Sequence, residues 1–161
     1  MRENIVVISF SEINKDSRVI RQIETLKNTF NIILFTYGEI NLRDIEIIKI
    51  KKEGNFFSKL LQTYLFFTGQ YRKYTFYRFS YKKILKVLEK RSIKVFILND
   101  CFSWPIIDFV DQNKCIVDAH EYSPEEFTNS IFWKILVKKY KNWASNYVTK
   151  AKKRFSVEKN L

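Results

Sequence analysis

Asp118, His120 and Glu121 place the only histidine of this 161-residue chain between two acids. An imidazole among carboxylates can hold a metal, assist a nucleophile or hydrogen-bond a polar ligand. A metal site is disfavoured, because there is a single histidine and no second ligand cluster. A serine triad is disfavoured too, since no serine lies in a nucleophile elbow. Hydrogen bonding to a ligand, or to neighbouring backbone as a turn histidine, is what stays open. Cys101 and Cys115 read as reduced thiols. Neither has a second zinc ligand at the usual spacing. A strand of about five residues at about 3.3 Å each would also hold them beyond the roughly 7 Å reach of a disulfide.

The elements around these residues say where they sit. Cys115-Ile116-Val117 reads as a buried strand, so Asp118 to Glu121 fall just past its carboxyl end, where open α/β sheets line their ligand crevice. Ser123 can cap a following helix, Pro124 suits its first position, and Glu126 completes a capping box. Upstream, apolar runs alternate with amphipathic ones, which predicts strands joined by helices in a parallel sheet. The strands are Ile5–Phe10, Ile32–Phe35, Ile45–Ile50, Val95–Leu98 and Cys115–Val117, with Tyr147-Val148-Thr149 a candidate sixth. A first helix runs from Asp16 or Ser17 to Asn28, with Val19, Ile20, Ile23 and Leu26 on one face. Phe56 to Lys90 reads as a long helical region in two pieces, broken at Gly69. Phe57, Leu60, Leu61, Tyr64 and Leu65 form the expected inward stripe of the first piece, and Tyr74, Tyr77, Tyr81, Leu85 and Leu88 that of the second. Shorter helices are expected over Ser103–Asp111 and Asn129–Trp143.

Right-handed crossovers then give a single α/β domain, a Rossmann-like sheet of order 3-2-1-4-5 flanked by helices. Three segments meet at its carboxyl rim: Ser11–Asp16, Asn99–Cys101 and Asp118–Glu121. The first contains no glycine, which disfavours an NAD or FAD pyrophosphate, and there is no Walker loop. Rim candidates for ligand contact are Asn14, Lys15, Asp16, Arg18, Asn99, Asp100, Asp118 and Glu121. Several have a plainer reading. Asp16 or Ser17 caps the first helix, Arg18 and Arg21 lie on a solvated face, Asp100 caps the next helix, and Glu121 complements a helix dipole.

Lys and Arg number 29 against 17 Asp and Glu, a formal charge of +12, and aromatic residues are 17% of the chain. This balance points to an anionic partner: a membrane surface, a nucleic acid or a phosphorylated substrate. Arg72, Lys73, Arg78, Lys82 and Lys83 interleave with Tyr71, Tyr74, Phe76, Tyr77, Phe79 and Tyr81. Such a helical face can lie on anionic lipid; the alternative is that the rings are core and the cations a solvated face. Nucleic acid is the less favoured partner. Phe56 to Gly69 is too short to span a bilayer and contains Lys59 and Gln62. The apolar run near the amino terminus is too short for a secretory signal. The expected location is cytoplasmic, peripheral at the inner face of the membrane.

Two stretches carry a resemblance. Strand one followed by Asp16-Ser17-Arg18-Val19-Ile20-Arg21-Gln22-Ile23-Glu24-Thr25-Leu26 and an apolar strand resembles the opening of family 4 glycosyltransferases of the GT-B fold. Asp118-Ala119-His120-Glu121 before an acidic helix start resembles their Asp-x-His-Glu segment. The resemblance covers nearly the whole chain and rests on the order and spacing of these motifs. It implies that residues 1–161 are the amino-terminal, acceptor-side domain, and that the donor domain with its Glu-x7-Glu motif is missing from this chain. The implied activity is retaining transfer of a sugar from a nucleotide-sugar to a glycan or lipid-linked acceptor, with no cofactor held by this chain. His120 becomes the candidate catalytic residue, hydrogen-bonding a sugar hydroxyl beside the reacting carbon, and the other rim candidates become acceptor contacts. Ser11 to Lys15 departs from the family's glycine-containing loop, which weakens any phosphate role there. The alternative is a non-catalytic module that docks on anionic membrane or nucleic acid through its basic helices.

Overall fold

The computed structural model describes residues 2–37, 40–50, 56–119, 143, 145–151 and 153–155. Six parallel strands form one sheet, in the order β3-β2-β1-β4-β5-β6. They are β1 (Asn4–Glu12), β2 (Asn31–Tyr37), β3 (Glu46–Lys49), β4 (Ile93–Leu98), β5 (Cys115–Asp118) and β6 (Lys153–Phe155). The order 3-2-1-4-5 is the expected one, and the chain is a single α/β unit of Rossmann-like type. The sixth strand is Lys153–Phe155, whereas Tyr147-Val148-Thr149 lies in the helical residues 145–150. Trp143, Tyr147 and Ala151 recur every four residues and pack on the core, so burial at helical spacing overrides the β propensity of Tyr-Val-Thr.

The period-2 alternation of each strand divides the core between the two faces of the sheet. Ile5, Val7, Ile32, Leu34 and Ile97 face α1 (Ser17–Leu26), which buries Val19 and Ile23 against them. Each such side chain contributes about 1.5–3 kcal/mol. Val6, Ile8, Phe10, Ile33, Phe35, Phe96 and Leu98 face the opposite layer. That layer contains α3 (Tyr71–Arg78), α4 (Tyr81–Leu88) and the 3-10 helix Trp104–Phe109.

The helical region after β3 has three pieces rather than two. α2 (Phe56–Phe67) ends where Gly69 takes φ +73°, with Gln70 N–H donating to Leu65 O at 2.8 Å and Gly69 N–H to Phe66 O at 3.1 Å. That is a Schellman closure, which favours glycine. A second break falls at Ser80, a left-handed residue between α3 and α4. The expected inward stripe of α2 is corrected. Only Leu65 of that set is buried, while Phe57, Leu60, Leu61 and Tyr64 are exposed. The helix packs instead through Gln62, Leu65 and Phe66, so the apolar periodicity was real but faces out. In the second set Tyr81 and Leu88 are buried and Tyr77 is exposed. The Ser103–Asp111 helix is the shorter 3-10 helix Trp104–Phe109.

Asp108 fastens this layer. It accepts from Tyr147 Oη at 2.9 Å and Lys150 Nζ at 2.8 Å, and pairs with Arg72 Nε at 3.4 Å. Burial, then the Asp108 hydrogen bond, hold the Tyr147 phenol above its ordinary range.

Cys101 and Cys115 are both free and buried, and burial pushes the Cys115 thiol up to about 12. Only thiolate is alkylated. Iodoacetamide at about pH 8 should therefore leave both thiols intact in the native protein and modify both after denaturation. Mass spectrometry reads the outcome, and rapid labelling of native Cys115 would contradict this packing.

Candidate functional site

The carboxyl rim forms where β4 and β5 end beside β1, which runs four residues past its last pairing with β4. Phe96, Ile97 and Leu98 pair with Cys115, Ile116 and Val117, and Ile8 pairs with Leu98. Asn99 N–H donates to Ile8 O at 3.1 Å, prolonging the β1–β4 ladder by one step. β1 then passes into the 3-10 turn Ile13–Lys15. This turn takes the place of a glycine loop, closes with Asp16 N–H donating to Ile13 O at 2.9 Å, and delivers Asp16 to cap α1. Asp16 Oδ1 accepts from Val19 N–H at 3.2 Å, satisfying one of the orphan donors of the helix start.

α1 thereby starts at the rim and projects two side chains, Arg18 and Gln22, from one face four residues apart. Arg18 reaches two carboxylates: Nη2 lies 3.2 Å from Asp16 Oδ2, and Nε lies 3.7 Å from Oδ2 of Asp118, the last residue of β5. Gln22 Oε1 accepts from Asn99 Nδ2 at 3.2 Å. The start of α1 is tied in this way to the ends of β4 and β5, so the three rim segments converge on one edge.

Asn99 is 4% exposed and its Oδ1 has no hydrogen-bond partner among the described residues. Arg18 Nε and Nη1 are likewise buried without an acceptor in hydrogen-bond range among the described residues. Buried polar atoms left unpaired cost about 1–3 kcal/mol each, so such groups mark places where something else supplies the bond. One side lacks acceptors and the other lacks a donor. A hydroxyl supplies both. With two carboxylates to one guanidinium, the cluster is not a cradle for a diphosphate.

Asp100 bonds to backbone on both sides of the rim. Its Oδ2 accepts from Phe10 N–H at 2.6 Å, and its Oδ1 accepts from Phe102 N–H at 3.0 Å and Ser103 N–H at 3.1 Å. The carboxylate shapes the turn that leads into Trp104–Phe109, but the N-cap position of that helix is Ser103, so Asp100 orders the turn before the helix rather than capping it. Asn14 is exposed on the 3-10 turn, with Lys15 at its end. His120 and Glu121 lie outside the described residues, as do the capping box at Ser123 and nearly all of the Asn129–Trp143 helix. Gln22 was not singled out from sequence. Its position four residues after Arg18, on the face of α1 toward the strand ends, is the signal that would have found it.

The basic set on α3 and α4 is partly engaged within the domain. Arg72 pairs with Asp108 and lies 4.8 Å from the Phe109 ring. Lys73 Nζ donates to Gln70 Oε1 at 3.0 Å, Arg78 Nη1 to Gln62 Oε1 at 3.3 Å, and Lys83 Nζ to Lys49 O at 3.0 Å. Lys82 is exposed. Among the described residues no helix is long and apolar enough to cross a membrane, and no group of three His, Cys, Asp or Glu side chains could hold a metal ion.

No protein-family model and no curated protein matches the chain.

Proposed function

We propose that this chain is the acceptor-side domain of a retaining glycosyltransferase of the two-domain GT-B type, and that its carboxyl rim receives a glycan or lipid-linked acceptor. The observation that carries the reading is that Arg18 Nε and Nη1 and Asn99 Oδ1 are buried without a hydrogen-bond partner among the described residues, at the rim where Gln22, four residues after Arg18, accepts from Asn99 Nδ2. Sugar hydroxyls donate and accept at once, so a polyol meets both needs. The resemblance adds His120, two residues after Asp118 in sequence, as the group for a hydroxyl next to the reacting carbon.

Glycosyl transfer develops positive charge at the sugar carbon and negative charge on the leaving diphosphate, and placed groups must meet both. Asp16 and Asp118 suit the cationic side. The glycine-free turn Ile13–Lys15 offers no backbone cradle for the diphosphate, so the nucleotide-sugar must be held by a separate donor domain. Residues 1–161 alone are thus expected to transfer no sugar and to bind nucleotide-sugars more weakly than about 1 mM, the range of a few unassisted contacts. Transfer from labelled nucleotide-sugars and calorimetric titration measure the two. Robust transfer by residues 1–161 would overturn the half-enzyme reading.

A second reading, a non-catalytic module docking on an anionic surface, is favoured by the charge of Phe56 to Leu88, which contains Lys and Arg but no Asp or Glu.

A further inference from the structure

We propose that α2 docks this domain on an anionic lipid bilayer, laying an outward stripe of Phe57, Leu60, Leu61, Tyr64 and Phe67 into the interface. These residues follow helical spacing along one face and are 78%, 62%, 44%, 60% and 50% exposed. The opposite face, Gln62 and Leu65, is buried on the domain. Soluble monomers rarely present so contiguous an apolar patch unless it is an interaction site. An amphipathic helix lying in the plane of a membrane presents one.

Charge selects the occupant. From Phe56 to Leu88 the chain carries seven Lys or Arg and no Asp or Glu. Beside the stripe, α2 and α3 line a cleft of about 430 Å³ formed by Lys59, Gln62, Thr63, Phe66, Phe67, Tyr74 and Arg78, two cations without an acid. An anionic headgroup layer complements this surface while its acyl boundary takes the rings. A nucleic acid would need cations along the stripe, and the stripe has none. A second copy would bring the same cation-rich segment against itself, since a two-fold contact is self-complementary, and like charges would oppose it. The contact element is therefore the apolar face of α2, with the basic residues of α3 and α4 as flanking attraction. The inference rests on the anionic-surface contact of the second reading and is independent of sugar transfer.

The test is flotation of residues 1–161 with vesicles of equal parts phosphatidylglycerol and phosphatidylcholine, against phosphatidylcholine alone. The wild-type domain is expected to float with the anionic vesicles and to be released as salt rises. Leu60→Ser with Tyr64→Ser should lower the partition coefficient at least about 10-fold, because two large apolar side chains leave the interface. Both positions are exposed, so the melting temperature should not move. A polarity-sensitive dye on Tyr64→Cys should shift to the blue on anionic vesicles, the native cysteines being buried. Wild-type-like flotation of the double variant would overturn docking through α2 while leaving the membrane contact standing. No flotation of the wild type on either vesicle would overturn the membrane contact itself. Self-association that the double variant abolishes, without flotation, would assign the stripe to a second copy and overturn the proposal. None of these outcomes bears on sugar transfer.

Discussion

Asp100→Ala is expected to lower folding stability by about 3–5 kcal/mol, although Asp100 lies on the rim rather than in the core. Its carboxylate takes three backbone N–H groups, from Phe10 at the end of β1 and from Phe102 and Ser103 in the turn after β4. Hydrogen bonds to a charged group contribute about 1.5–3 kcal/mol each. The site is only partly buried, so water recovers some of that loss. For a domain of this size the change corresponds to a fall in melting temperature of about 10 °C. Asp100→Asn should fall between, because its amide keeps one acceptor and turns a donor toward the other N–H groups. Circular dichroism melts would read the series, and a melting temperature of Asp100→Ala within about 2 °C of wild type would show that the turn holds without its carboxylate. The same bonds set where β1 and β4 end relative to each other, so a loosened turn would also displace Asn99.

The sheet was legible because its strands are short apolar runs rich in β-branched residues, separated by polar turns, and because right-handed crossovers leave few arrangements of five parallel strands. The misplacement came at β6. Tyr147-Val148-Thr149 has strand composition, but Trp143, Tyr147 and Ala151 share one helical face toward the core, and a three-residue strand such as Lys153–Phe155 carries no periodicity to read. The outward stripe of α2 was missed for a different reason. Periodicity identifies an apolar face without saying what it meets, and a helix bound for an interface repeats like one bound for a core. Gln62 on the buried face was the residue that did not fit an inward stripe.

At the rim, the segments were legible from strand ends alone, while the roles of their side chains were not. Asp16 caps α1 and also pairs with Arg18, and Asp100 proved to serve backbone. The Arg18–Asp118 pair joins residues a hundred positions apart, a contact that no local pattern encodes. Gln22 matters through its bond to Asn99, across seventy-seven residues.

The rim is proposed to meet the hydroxyls of a sugar acceptor, and turnover of this domain joined to its proposed donor domain, with a glycan or lipid-linked acceptor, tests that most directly. Asn99→Ala removes the buried amide whose nitrogen donates to Gln22 and whose oxygen has no partner among the described residues, and His120→Ala removes the imidazole two residues after Asp118 in sequence. A site built to hydrogen-bond hydroxyls loses much when a positioned polar group is deleted, because the loss falls in the transition state. Each variant is predicted to lower kcat/KM for the acceptor by about 10²-fold or more while the KM for the nucleotide-sugar stays unchanged. Undiminished turnover in both variants would contradict the account and leave Asn99 and His120 as turn residues of a domain whose work lies elsewhere.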